Sequence, residues 1–249
     1  MNRAIPTALL WIVAACLCSD AAHAQWSGRI TSSMGRSYGN LALSQSILSG
    51  TRRLGDAAPS GNTAALPSLT PAQIDAVLNY TADPQRSERT RAEMIEAMSG
   101  SDAALRAELE KAFADDAVLK EFERVMSENG YSSRNIADDM TVLLQVSWET
   151  LSGSTASKAQ IQGIRRQVLG IFLGTPRLRG MTNAERQDWA ERIAYQVVLA
   201  TIARQEALRS GDPARLKQVR HTTAAMLQAQ VGIDLSQLRL TEQGFRKRS

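Results

Sequence analysis

Acidic and amide side chains interrupt the most apolar stretches of this sequence, where polar groups are costly to bury. Asp139, Gln145 and Glu149 occur along a run that otherwise consists mainly of Met, Val, Leu and Trp, and a second apolar run carries Tyr195 and Gln196. Buried polar groups must be hydrogen-bonded. These five residues therefore either pair with one another across two packed helices or line a cleft that binds a polar ligand. We take all five as candidate binding residues.

Paired carboxylates would also suit hydrolysis, because glycan cleavage uses one acid and one base on either side of the scissile bond. Asp138 and Asp139 are adjacent. Neighbouring residues of a helix point about 100° apart, so this pair alone is not a catalytic dyad. A hydrolase would have to combine Asp138, Asp139, Glu149 or Glu191 across a cleft. A cell-envelope hydrolase of this kind is the alternative function, and the sequence assigns no catalytic residue.

The sequence offers little for other chemistry. Both cysteines, Cys16 and Cys18, lie near the N-terminus, so the rest of the chain has no thiol nucleophile, disulfide or zinc knuckle. His221 is the one histidine outside the N-terminal segment and lies close to Arg215 and Arg220, which is typical of a solvated surface residue and not of a catalytic base. We expect no metal and no cofactor.

The elements that must position the candidate residues are helices. Thr70-Pro71-Ala72-Gln73 combines an N-cap, a proline in the first turn and a capping-box glutamine, which predicts a helix start. Apolar residues recur with a helical period from there on, and no β alternation or fixed repeat occurs. The further helices are predicted at about residues 84–98, 102–113, 115–128, 133–151, 155–172, 182–210 and 212–231, with an extended or turn segment at 233–245.

Two predicted helices, 133–151 and 182–210, are apolar around most of their circumference, which is typical of helices that are buried on several sides. We predict an all-α fold, an irregular multi-helix bundle of about seven or eight helices around this central pair. Two packed halves are the alternative arrangement.

The N-terminus has the features of an export signal. An apolar run at residues 8–15 follows a positive charge, and Ala22-His23-Ala24 is an A-x-A cleavage site. The run is shorter than the about 20 apolar residues of a membrane span. We expect a signal peptide over residues 1–24 and a periplasmic or secreted protein with no transmembrane segment. Alternatively, Val13-Ala14-Ala15-Cys16 resembles a lipobox, and the protein would then be a lipoprotein anchored through Cys16.

The distribution of charge argues against nucleic-acid binding. The chain has 29 basic and 25 acidic residues, but the excess lies in a Gly/Ser-rich segment, 25–69, which we expect to be a flexible arm, and in a basic tail, 246–249. The helical domain, residues 70–245, carries 21 basic and 23 acidic side chains and supplies no excess of cations for phosphates. We expect an unknown protein or an envelope component as the partner.

The two parts of the helical domain have opposite net charge. Residues 71–154 carry 8 basic and 16 acidic side chains, a net −8, and residues 155–245 carry 13 basic and 7 acidic ones, a net +6. Either the two parts pack against each other with complementary charge, or the molecule is a dipole that docks onto a charged partner.

Four stretches carry a resemblance to a known family. They are Gly130-Tyr131 leading into Ile136-Ala137-Asp138, then Trp148, then the run from Ala190-Glu191 to Tyr195-Gln196, and the ending from Gly232 to Phe245 with its L-x-L-T-x-x-G-F pattern. Over about residues 71–245 the chain resembles an uncharacterised family of exported bacterial all-helical domains. The resemblance implies an autonomous domain and no catalytic residues. We therefore interpret the chain as a non-enzymatic periplasmic or secreted binding or interaction protein.

Overall fold

A computed structural model describes residues 69–248, in which the chain forms nine α-helices, two 3₁₀ turns and two short strands. The all-α bundle predicted from the sequence is confirmed. The signal peptide, the lipobox and almost the whole arm fall outside the described residues. The helices are α1 Pro71–Leu78, α2 Pro84–Ser99, α3 Ala103–Ala112, α4 Ala117–Glu128, α5 Ile136–Ser152, α6 Lys158–Gly174, α7 Pro176–Arg179, α8 Asn183–Ser210 and α9 Pro213–Val231.

Helix starts are fixed by local side-chain caps, as the sequence predicts. Thr70 and Gln73 form a reciprocal capping box at α1, and Thr182 and Glu185 form another at α8. In a capping box each side chain accepts a hydrogen bond from a backbone N–H group that the helix itself leaves unpaired. The bounds of the long helices therefore lie within a few residues of their predicted positions.

Helices α5 and α8 form the centre of the bundle. Twelve of the 17 residues of α5 are buried, and α8 packs against α5, α2, α4 and α9. Helix α5 also packs against α6 and α9, so both central helices are covered on several sides. Within residues 69–248 no helix is both long and apolar enough to cross a membrane.

The segment between α1 and α2 is held by amide side chains of α8. Asn183 accepts a hydrogen bond from the Thr81 N–H at 2.7 Å and donates to the Thr81 carbonyl at 2.8 Å. Gln187 bonds the backbone N–H and carbonyl of Asp83 in the same way, at 2.9 Å each. A side-chain amide thus replaces the partner strand that this extended backbone lacks.

A β-hairpin forms at the C-terminal end of the described residues. The sequence pattern predicts this segment only as extended or turn. Strand β1, Leu238–Thr241, pairs antiparallel with β2, Gly244–Lys247. Strand β2 therefore continues two residues into the predicted basic tail. Each strand has four residues, which is too short for an alternating pattern to be recognised in the sequence.

The hairpin lies directly on α6, where two glycines allow the backbones to meet. A Cβ atom on Gly163 would lie 2.5 Å from the Glu242 carbonyl oxygen and closer still to the Gly244 nitrogen. Gly244 itself has φ +94°, a conformation that favours glycine. Beside this contact, Gln167 accepts a hydrogen bond from the Phe245 N–H at 2.6 Å and donates to the Phe245 carbonyl at 2.9 Å.

Ion pairs join the acidic and basic parts of the domain. The Arg165 guanidinium binds both carboxyl oxygens of Asp138, at 2.7 and 3.1 Å, and Arg192 pairs with Glu93. These contacts between the two parts favour the interpretation that their opposite charges are complementary within one molecule.

Candidate functional site

A groove of about 440 Å³ opens between α4, α5, α6 and α8. Its apolar surface includes Val142, Val146 and Ile161, which are only partly buried although they also pack against the core. Because four helices supply most of the lining side chains, the packing of the bundle sets most of the shape of the groove. The other lining side chains include Phe122, Val125, Met126, Tyr131 and Val197.

Two of the predicted site residues, Gln145 and Glu149, lie together in this groove. They are one turn apart on α5, and the Gln145 amide donates to Glu149 Oε1 at 3.2 Å. The backbone N–H of Ala156 donates to the same oxygen at 3.0 Å. Glu149 is only 8% exposed. These two bonds fix its carboxylate at the junction between α5 and α6.

Further polar side chains of the groove come from α6 and α8 and were not among the predicted site residues. Lys158 and Arg204 both line it, and neither forms an ion pair with any of residues 69–248. Gln205 also lines it, and the buried Oε1 of this side chain has no hydrogen-bond partner in the same range. The groove thus combines an apolar floor with two uncompensated cations and an unused acceptor.

A second cavity, of about 230 Å³, lies where α2, α4 and α8 meet. Glu191 lines it and is 2% exposed. Its Oε1 accepts hydrogen bonds from the Ser87 hydroxyl at 2.6 Å and from the Gln187 amide at 2.8 Å. Its Oε2 is buried and has no partner in the described part of the chain. Burial raises the pKa of Glu191, and the two hydrogen bonds oppose that rise.

Asp116 lines the same cavity and has an unusual backbone. Asp115 and Asp116 have φ values of 54° and 55°, the left-handed region that residues with a Cβ seldom adopt. The Asp116 carboxylate pairs with Arg91 at 3.1 Å. Strained backbone of this kind is often found at functional sites, and Asp116 and Glu123 are the other carboxylates that line this cavity.

Asp138 and Asp139 are neighbours in opposite environments. Asp138 accepts the Arg165 guanidinium and the Ser132 N–H, the latter at 3.1 Å. Asp139 has 0% exposure, and neither of its oxygens has a hydrogen-bond partner within residues 69–248. Burial, followed by the negative charge of Asp138, raises the pKa of Asp139 well above its usual range, while Arg134 lowers it. Neither aspartate lines the groove or the Glu191 cavity.

The remaining predicted site residues, Tyr195 and Gln196, are core side chains of α8. The Tyr195 ring lies 4.8 Å from that of Phe113, and burial raises the pKa of its hydroxyl. Gln196 is 2% exposed, and its Oε1 is without a partner in the described range. Neither residue lines the groove, so the structure does not bring the five predicted residues into one site.

The helical period of α8 explains which of its side chains reach the groove. Val197, Thr201, Arg204 and Gln205 line it, and their spacing of four, three and one residues follows one face of a helix. Once Val197 is known to face α5, the helical period alone identifies the other three residues of α8 that line the groove. Tyr195 lies two residues before Val197, and consecutive residues are rotated by about 100°, so Tyr195 points elsewhere.

Among residues 69–248 no group of three or more His, Cys, Asp or Glu side chains is arranged to hold a metal ion. The charged side chains that line the two cavities are carboxylates and cations that do not form a cluster of metal ligands. Their available chemistry is ion pairing, hydrogen bonding and proton transfer.

A family model matches residues 4–248, and its description is a family of unknown function, DUF6683. No curated protein and no solved structure matches the chain significantly. The geometry of the two cavities is therefore the basis on which a function has to be argued.

Proposed function

Because the chain belongs to DUF6683, a family of unknown function, we propose a role from its cavities: an exported, non-enzymatic binding domain whose ligand lies in the groove between α4, α5, α6 and α8. The observation that carries the proposal is the groove itself, about 440 Å³ in volume with an apolar floor and unpartnered polar groups. Ligand pockets have volumes of roughly 300–1,000 Å³ and the same mixture of apolar walls and few polar groups.

The groove is organised for binding before a ligand arrives. Glu149 is held by Gln145 and by the Ala156 N–H, and Arg204 projects from the long central helix α8. A rigid site loses little conformational entropy on binding. The hydroxyl of Thr201, which lines the groove, donates to the Val197 carbonyl at 2.7 Å. It is therefore bonded to an acceptor that is not a general base, which supports binding rather than nucleophilic catalysis.

Export follows from the N-terminal sequence. Residues 1–24 have the pattern of a signal peptide, and cleavage after Ala24 would deliver the domain to the periplasm or the medium. A lipid anchor on Cys16 is the alternative. Intact-mass analysis of the protein from an exporting cell separates the two, because a chain that begins at Gln25 supports the free form and a diacyl or triacyl adduct on Cys16 contradicts it.

Native mass spectrometry of the exported protein tests the binding role. We expect wild-type protein to carry a non-covalent adduct that Arg204→Glu loses, since the substitution reverses a charge of the groove. Arg179→Glu is the matched control, because Arg179 also forms no ion pair with the described residues and lies on α7, outside the groove. An Arg204→Glu protein that folds and keeps the adduct, or wild-type protein that never carries one, would contradict the proposal.

A hydrolase centred on Glu191 is the second candidate. The observation that favours it is a carboxyl group with a raised pKa and an unpartnered oxygen in a cavity that also contains Asp116. Glycan hydrolysis uses a carboxylic acid with a raised pKa and a second carboxylate. This pair differs from the adjacent Asp138 and Asp139, whose carboxyl groups do not line that cavity.

Cleavage assays on envelope glycans test the hydrolase. Glu191→Gln and Asp116→Asn should each reduce the rate by at least about a hundredfold if the two act as acid and base. Glu123→Gln is the control, because Glu123 lines the same cavity and is exposed. Wild-type protein without activity on any glycan, or a Glu191→Gln protein with full activity, excludes this candidate.

A further inference from the structure

We propose that the ligand of the groove is a short peptide with an apolar side chain and a free carboxylate. Arg204 and Lys158 bind the carboxylate, Glu149 binds the amino group, and Val142, Val146 and Ile161 contact the apolar side chain. This assignment rests on the proposed function, because it takes the groove to be the binding site.

Two cations line the groove without an ion pair: neither Arg204 nor Lys158 contacts an acid of residues 69–248, although Glu128 and Glu149 also line the groove. Other arginines of the described residues form ion pairs with an acid, such as Arg165 with Asp138. Arg204 is half-buried, and neither it nor Lys158 has an acidic partner within residues 69–248. A guanidinium has five N–H donors in a planar fork that matches a carboxylate with two parallel hydrogen bonds. A free carboxylate of the ligand satisfies both cations.

Glu149 requires a positive or hydrogen-donating group in the same ligand. Its carboxylate is nine-tenths buried and forms no ion pair with the described residues; Gln145 and the Ala156 N–H, which donate to Oε1, are neutral. An anionic amphiphile such as a fatty acid would satisfy Arg204 but leave this charge uncompensated, which is costly in a partly buried site. A ligand with an acid at one end and an amine at the other satisfies both.

Glutamine side chains in and around the groove suit peptide backbone. Gln162 and Gln205 line it with Gln145, and the Oε1 of Gln205 lacks a donor in the described range. Elsewhere in this fold Gln167 and Gln187 each bond the N–H and the carbonyl of a single extended residue. A glutamine amide offers one acceptor and two donors, so the free amides of the groove can bind an added peptide in the same way.

Calorimetric titration of the folded protein with tri-leucine tests the assignment. We expect binding by wild type, and about tenfold weaker binding when the peptide is amidated at its C-terminus or acetylated at its N-terminus, since each change removes one charge-assisted hydrogen-bonded contact. Arg204→Gln should weaken binding of the free peptide by a similar factor and be less sensitive to amidation than wild type, because only Lys158 then remains to bind the carboxylate. Glu149→Gln should be insensitive to acetylation instead. Arg179→Gln is the control and should bind as wild type does.

Competition with the anionic dye 8-anilinonaphthalene-1-sulfonate separates failure of the peptide from failure of the groove. Displacement of the dye by tri-leucine that needs about tenfold more peptide in Arg204→Gln than in wild type supports the peptide. Displacement by dodecanoate and not by tri-leucine overturns the peptide while the groove remains a binding site. Protein that binds neither the dye nor any of these ligands overturns both. Circular dichroism of each variant verifies that the helices are intact.

Discussion

Replacement of Gly163 in α6 is the substitution whose effect on stability the packing of the fold predicts most directly. Replacement by alanine adds a Cβ atom that would lie 2.5 Å from the Glu242 carbonyl oxygen and 2.8 Å from its carbon, with the Gly244 nitrogen nearer still. All three are backbone atoms of the hairpin, so no side chain can rotate away to relieve the overlap. Gly163→Ala must push the hairpin off α6.

The expected cost follows from what the hairpin loses when it moves. An added methyl group in a packed contact costs about 1–3 kcal/mol. Displacement also weakens the two hydrogen bonds between Gln167 and Phe245, each worth about 1 kcal/mol. Alanine is favoured over glycine inside a helix by roughly 1 kcal/mol, which offsets part of this. We expect the free energy of unfolding to fall by about 2–3 kcal/mol.

Gly170 in the same helix is a matched control. A Cβ atom at Gly170 meets nothing within 4 Å, so Gly170→Ala should gain the helix preference and stabilise the protein by up to about 1 kcal/mol. Urea unfolding followed by circular dichroism measures both variants. If Gly163→Ala is as stable as Gly170→Ala, the close approach of α6 and the hairpin is not a feature of the folded protein and the reasoning fails.

Two further predictions concern buried polar groups. Because the pKa of Asp139 is raised in the folded state, unfolding releases a proton between the pKa of an unfolded aspartate and the folded value, so stability should fall as the pH rises through that window. Asp139→Asn should reduce this slope in unfolding curves measured from pH 4 to 8, and Glu191, whose pKa is also raised, should account for part of the slope that remains. Asp138→Asn should instead lower stability by about 2 kcal/mol through the loss of the Arg165 pair. An Asp139→Asn profile with the same slope as wild type would contradict a raised pKa for Asp139. Gln187→Leu should cost about 2–4 kcal/mol, because it leaves the Asp83 N–H without its acceptor and removes a donor from the buried Glu191 carboxylate, and thermal unfolding that matches wild type would show that the amide is dispensable.

The helices were predictable because their signals are local. Thr70 with Gln73 and Thr182 with Glu185 each specify a helix start within four residues, and the apolar runs around Leu143 and Val197 mark the central pair. Such patterns depend on backbone geometry and on burial of a face, and neither needs knowledge of the rest of the chain.

The site was harder to predict because it depends on which helix faces which. Gln145 and Glu149 were found from their polarity inside an apolar helix, and the structure places them together in the groove. Arg204 gave no such signal, because a single arginine looks the same in the sequence whether or not an acid lies opposite. Tyr195 and Gln196 were conspicuous for the same reason as Gln145, yet they face the core.

Buried polar groups in this domain fall into two kinds, and only one kind points to a function. Gln167 and Gln187 use their amides on the backbone of neighbouring segments, so their polarity is accounted for by the fold. Asp139 is unpartnered within the described residues but lines neither of the cavities around Glu149 and Glu191, and burial raises its pKa, which favours the neutral acid. Polar groups that are unpartnered and also border open volume are different, because the folded chain gains nothing from them. Arg204 in the groove and Glu191 in its cavity meet both conditions, and a ligand bound at either place would stabilise the folded protein by an amount that rises with the logarithm of its concentration relative to its dissociation constant.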